Sequence, residues 1–181
     1  MKVAWRKIRQ RVLLAATMGV TDGILTALTL AAGLLTSNRQ SVTVSLAFRV
    51  AGGAFFSGAF VYFVSKYAEF RQEFVHAEQQ LSLLAHGKLA LTHLGNTALR
   101  EAGFTTLVSS TAAFLGALCP LLVTMLFPRH QWTSFVAAHV ALGLLGIALA
   151  RALYGSALRW SLALIVGGAL LTVIGIRLAI L

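Results

Sequence analysis

Apolar residues along this chain fall into five long runs, near Val12–Leu35, Val42–Ser65, Phe104–Phe127, Trp132–Leu153 and Trp160–Leu181. A helix needs about 20 apolar residues to cross a bilayer, so each run predicts one membrane span. The turn "TSNRQS" divides the first two runs, "PRHQ" the third and fourth, and "LYGSALR" the last two. Pro128 closes the third run, because proline cannot continue the helical hydrogen-bond ladder. Between the second and third runs the rhythm changes. Phe70, Phe74, Leu81, Leu84 and Leu89 recur among polar residues, which is the pattern of an amphipathic helix rather than of a span. The expected fold is therefore an all-α integral membrane protein of five transmembrane helices, with a cytoplasmic helical segment between the second and third. Residues 1–66 hold an N-terminal arm and two spans, 67–103 the amphipathic segment, and 104–181 the last three spans.

Composition supports this class. Of the 181 residues 58% are hydrophobic and 11% charged, against roughly 25% charged in soluble domains; so few polar groups do not cover the surface of a soluble globule. The net charge of +10 does not point to nucleic acid, because the basic residues lie in short segments between apolar runs. That distribution reports topology. Eleven Lys and Arg fall on one side, in the N-terminal arm, the long middle segment and the last loop; three, Arg39, Arg129 and Arg177, fall on the other. The N-terminus is expected in the cytoplasm and the C-terminus outside. The basic start "MKVAWRKIRQR" runs into about 24 apolar residues without a cleavage site, which reads as a retained first span rather than a signal peptide. The lone Cys119 excludes an intrachain disulfide and is expected to be a small core residue.

Against this background one acid stands out. Asp22 is near the middle of the first run, where a charge costs roughly 2.5–3.5 kcal/mol on insertion scales. Met18 and Thr26 lie one turn to either side of it on the same face, and Gly19 and Gly23 flank that face and admit a neighbouring helix. A carboxylate, a thioether and a hydroxyl on one stripe suit a cation path, with the sulfur extending the choice to softer ions such as Fe²⁺. On the second run Arg49, Gly53 and Ser57 share a face. If "TSNRQS" is a tight turn, Arg49 is offset from Asp22 by about 7–8 Å along the axis, within reach of an ion pair. Such a pair is either part of a path or a packing lock without a substrate. His139, in the fourth run, reads as a neutral histidine hydrogen-bonded within the bundle.

The middle segment carries the other four acids, Glu69, Glu73, Glu78 and Glu101. Glu69, Glu73 and His76 share a helical face, and the Glu-x-x-His spacing of Glu73 and His76 is one that helical carboxylate proteins use to hold a metal. Glu78, Glu101 or a second subunit would complete such a site. The competing reading is a solvated face on which Glu69 and Glu73 pair with Lys66 or Arg71. An enzyme is not expected, since the sequence offers no nucleophile–base pair, phosphate loop or His-Glu-x-x-His motif.

Together, "TDGILTALTLAAGL", "GGAFFSGAFVYFVSKYAE" and "ALREAGFTTLVSSTAAFLGALCPLLVTMLF" resemble the first three spans of the vacuolar iron transporter (nodulin-21-like) family, and the chain is similar to a divergent, short member. The resemblance implies five transmembrane helices, a homodimer, and cytoplasmic helices that collect metal between spans two and three. It implies export of Fe²⁺ or Mn²⁺ from the cytoplasm, in exchange for protons, across a plasma membrane in a prokaryote or a vacuolar membrane in a eukaryote. The ion is substrate; no tightly bound cofactor and no nucleic-acid partner is implied. By position Asp22 matches the family's first-span acid, and Glu69, Glu73 and Glu78 fall where its cytoplasmic carboxylates begin. Two positions depart from it: Ser57 stands where the family has methionine, and Val61 where it has glutamate. The expected path is thus Met18, Asp22, Thr26, Arg49 and Ser57, and the expected metal-collecting set Glu69, Glu73, His76, Glu78 and Glu101. The alternative is a divergent non-transporting membrane protein or subunit, with Asp22–Arg49 as a lock.

Overall fold

A computed structural model describes residues 2–36, 43–80, 93–126, 133–152 and 155–179. They form five helices: α1 (Lys2–Thr36), α2 (Val44–Gln80), α3 (His93–Leu126), α4 (Thr133–Ala152) and α5 (Ala157–Ala179). The described residues include no strand. Four helices contain stretches long and apolar enough to cross a membrane, Arg11–Gly33, Val44–His76, Gly95–Leu126 and Ala157–Arg177; α4 holds a shorter apolar stretch, Phe135–Arg151. Helix is the form such sequences take in hydrocarbon, because it satisfies every backbone group within its own segment. Hydroxyls follow the same economy. Thr17, Thr21, Thr111 and Thr172 each donate to a carbonyl three or four residues back, at 2.8–2.9 Å.

The helices outrun the expected spans, and this alters the middle of the chain. At 1.5 Å per residue the 37 residues of α2 measure about 55 Å, nearly twice the hydrocarbon thickness of about 30 Å. The boundary expected between 66 and 67 lies inside α2, and the one expected between 103 and 104 inside α3. Residues 67–80 are thus the direct continuation of α2, and 93–103 the opening turns of α3. The turns at 37–42 and 128–131, and the centre of the amphipathic segment at 81–92, lie outside the described residues. Nothing in Ser65–Glu69 breaks a helix: there is no proline or glycine, and Lys66 pairs with Glu69 one turn on, at 2.6 Å.

Packing between helices relies on small residues. Gly19 and Gly23 of α1 press against the backbone of α3 at Ser109 and Ala113, while Gly116 of α3 meets Val20 at a distance that leaves no room for a Cβ, 2.6 Å from its carbonyl oxygen. Ala27 joins Ala47, Ala51 and Ala54 of α2 and Ala117 and Leu121 of α3 in one buried cluster. A second cluster unites Ile24, Leu28 and Ala32 of α1 with Phe135, Ala138 and Leu142 of α4. Pro120 sits within α3 without ending it and is fully buried.

The matched pairs give the directions. Gly19 meets Ser109 and Gly23 meets Ala113, so α1 and α3 run parallel. Gly168 lies near Leu28 and Gly175 near Ala32, so α5 is parallel to them. Gly58 lies beside Asp22 and Ala113, and Tyr62, one turn on, hydrogen-bonds Thr105, two turns back along α3, so α2 is antiparallel. The α4–α5 pair is joined at Gly155, whose N–H donates to the Ala150 carbonyl at 2.9 Å, a six-to-one closure typical of helix ends. Beyond it the Ser161 hydroxyl donates across to the Gly143 carbonyl at 2.9 Å.

Two residues settle differently from each other. Cys119 is exposed, contrary to the core position expected of it, because α3 turns Ala112, Ala113, Gly116, Ala117 and Pro120 inward and position 119 falls with Thr111, Leu115 and Leu122 on its exposed stripe. His139 is half-buried, with Nδ1 2.7 Å from the Phe135 carbonyl one turn back. A carbonyl only accepts, so Nδ1 carries the hydrogen of a ring bonded within the bundle.

Candidate functional site

The site begins with the stagger of α1 and α2. With Asp22 beside Gly58 in an antiparallel pair, each α1 residue stands opposite the α2 residue whose number makes their sum about 80. Arg11 therefore stands level with Glu69, and Asp22 lies eleven residues away, about 16 Å along the axis. Between these two levels the helices part. A groove of about 710 Å³ opens there, with α1 and α2 as walls and α3 as floor.

Its residues follow from helical spacing. On α2, Gly58, Tyr62, Ser65, Lys66, Glu69 and Glu73 face the groove, at intervals of three and four that define one side of a helix. On α1 the matching stripe is Arg11, Leu14, Met18, Gly19 and Asp22; on α3 it is Glu101, Thr105, Ser109 and Ala113. The Asp22 end is framed by small groups: a Cβ built on Gly58 would lie 3.6 Å from Asp22 Oδ2 and 3.8 Å from the Ala113 side chain. At the other end Arg11 of α1 pairs with Glu101 of α3, and Lys66 pairs with Glu69 within α2. Four carboxylates and two cations line the groove in all.

The structure thus brings together six of the residues singled out from sequence: Met18, Asp22 and Ser57 from the expected path, and Glu69, Glu73 and Glu101 from the expected metal-collecting set. Four stand apart. Thr26 donates its hydroxyl to the Asp22 backbone carbonyl at 2.9 Å, not to the carboxylate. His76 is exposed on α2 beyond the groove, and Glu78 belongs to the last turn of that helix. Arg49 is also exposed and lies nine residues from Gly58, about 14 Å along α2. Asp22–Arg49 is not among the ion pairs of the described residues. The 7–8 Å offset expected for it counts residues from a tight turn, whereas the alanine contacts of α1 and α2 set a different stagger. Among the described residues no group of three or more His, Cys, Asp or Glu is gathered closely enough to hold a metal ion.

Gly58, Tyr62 and Arg11 are groove residues that sequence reasoning missed. The spacing of Gly58, Tyr62, Lys66, Glu69 and Glu73 was a usable signal, but only once Glu69 and Glu73 were seen as part of the same helix as the second span. Compared with described protein families, curated proteins and solved structures, the chain matches none.

Proposed function

We propose that the protein is a membrane transporter that moves a divalent cation, Fe²⁺ or Mn²⁺, out of the cytoplasm in exchange for protons. The observation that carries this reading is the groove itself, which links Asp22, within the apolar part of α1, to Glu69, Glu73 and Glu101 at its far end. With Asp22 near the midplane, a point 16 Å away reaches the edge of a hydrocarbon layer about 30 Å thick. The three glutamates then stand at the water interface, where carboxylates gather cations at little cost, and Asp22 is the acid that takes up the ion or the proton inside. His76, exposed beyond Glu73, extends the mouth into water along α2.

Five crossings accompany this reading. The parallel course of α1, α3 and α5 requires α2 and α4 to carry the chain back, and the 20 residues of α4 measure about 30 Å. An odd number of crossings separates the termini, and the excess of Lys and Arg assigns the N-terminus and the glutamate mouth to the cytoplasm. A homodimer is part of the proposal. Phe48, Phe56 and Phe60, exposed on α2, supply an apolar face for a second copy. The non-transporting alternative, built on an Asp22–Arg49 lock, has less support, since Asp22 lies against Gly58 rather than Arg49.

The test is flux of Fe²⁺ and Mn²⁺ into proteoliposomes under an imposed pH gradient, for wild type and Asp22→Asn. Gradient-driven flux that falls at least tenfold in the variant is expected. Flux of neither ion above empty liposomes, from a folded protein, refutes the proposal.

A further inference from the structure

The groove is much larger than a metal ion needs. At roughly 30 Å³ per water, a divalent ion with six waters fills on the order of 200 Å³, and a dehydrated ion far less. The groove's volume of about 710 Å³ lies within the 300–1,000 Å³ typical of sites for drug-sized molecules. Its lining around Asp22 is mostly apolar: Met18, Val61 and Tyr62 supply thioether, aliphatic and aromatic surface, with Leu14 further along the groove. Met18 is 60% exposed and Val61 65% exposed, so this surface is accessible to a ligand.

Charge and hydration narrow the class of ligand. A small divalent ion is strongly hydrated, and several oxygen ligands must replace its water; no such cluster exists among the described residues. A bulky cation whose charge is spread over an apolar body holds water weakly and needs only one counter-charge, which Asp22 provides. Aromatic faces attract such cations through their quadrupole, and the flexible thioether of Met18 adapts to varied shapes. The Lys66–Glu69 and Arg11–Glu101 pairs occupy the bases at the far end, so neither basic group pairs with Asp22.

We propose that this groove binds lipophilic organic cations, with Asp22 as the counter-ion and Met18, Val61 and Tyr62 as the apolar cradle. The inference uses the same groove as the proposed function but does not depend on metal being carried.

The test is equilibrium binding of radiolabelled tetraphenylphosphonium to the full chain in zwitterionic nanodiscs. Saturable binding near one per chain is expected for wild type, retained within a few-fold in Asp22→Glu. A loss of at least tenfold is expected in Asp22→Asn, which removes the charge, and in Gly58→Leu, which fills the Asp22 end. Circular dichroism and size-exclusion profiles identify any variant that has not folded, and the other variant then carries the test. Binding no greater than in empty nanodiscs overturns the inference; so does binding unchanged in the folded variants, which marks partition into lipid. Parallel Mn²⁺ flux separates the two proposals. Phosphonium binding without Mn²⁺ flux leaves this inference standing and removes the metal reading, and Mn²⁺ flux without phosphonium binding does the reverse.

Discussion

One of the closest approaches between helices in this fold is also easy to disrupt and measure. A Cβ placed on Gly23 of α1 would collide with the Ala113 carbonyl oxygen and lie 2.7 Å from the Ala117 nitrogen. Both are backbone atoms of α3, so no side chain is available to swing aside. Gly23→Ala therefore forces α1 and α3 apart by roughly an ångström. Overpacking of this kind costs about 1–3 kcal/mol, while replacing a helical glycine by alanine returns about 0.8–1.0 kcal/mol. The net expectation is a loss of up to about 2 kcal/mol. Gly103, on the same helix pair but with nothing within 4 Å of its built Cβ, supplies the control, because Gly103→Ala collects the propensity gain alone. Gly23→Ala should be the less stable of the two by about 1–3 kcal/mol, the overpacking cost itself, in reversible unfolding by added SDS in mixed micelles, followed by circular dichroism. If Gly23→Ala is as stable as Gly103→Ala, α1 and α3 do not cross through Gly19 and Gly23 as described.

Other features make narrower predictions. Ser161→Ala removes the hydroxyl that donates to Gly143 across the α4–α5 interface and should cost about 0.6 kcal/mol, the average for interhelical hydrogen bonds in membranes, in the same unfolding assay; a gain in stability would refute that bond. Arg11→Gln and Glu101→Gln should show a coupling of less than about 1 kcal/mol in a double-mutant cycle, because the pair is largely exposed, and the coupling should shrink with added salt. A coupling that does not respond to salt would mean that the pair is shielded from water. Cys119, exposed on α3, should react with an apolar maleimide in the folded protein at the rate seen after denaturation. Protection until unfolding would return it to the core or to an interface with a second copy.

Much of this fold could be read from periodicity. The five helices, the place of Asp22 within an apolar stretch of α1 and the close approach permitted by Gly19 and Gly23 all follow from local facts: run length, the 3.6-residue repeat and the absence of a Cβ. Helix ends were less legible. Hydropathy marks where a chain leaves hydrocarbon, not where its hydrogen bonding stops, so α2 and α3 continue into the segment that sequence treated as separate. The fate of Cys119 shows the same limit, since apolar surroundings in sequence do not tell a core face from a lipid face when both are apolar.

What the sequence by itself determined was class and inventory: a helical protein fit for a membrane, with five acids, one of them in an apolar run. Only the tertiary structure decided which of these residues meet. The stagger of α1 against α2 is set by the contacts of Ala27, Ala47, Ala51 and Ala54, and no count from a turn predicts it. A shift of this stagger by a few residues separates Asp22 from Arg49 and opens one groove from Asp22 to Glu69. The physical reason is that helix formation is local, whereas the register between helices depends on side-chain volumes meeting across an interface.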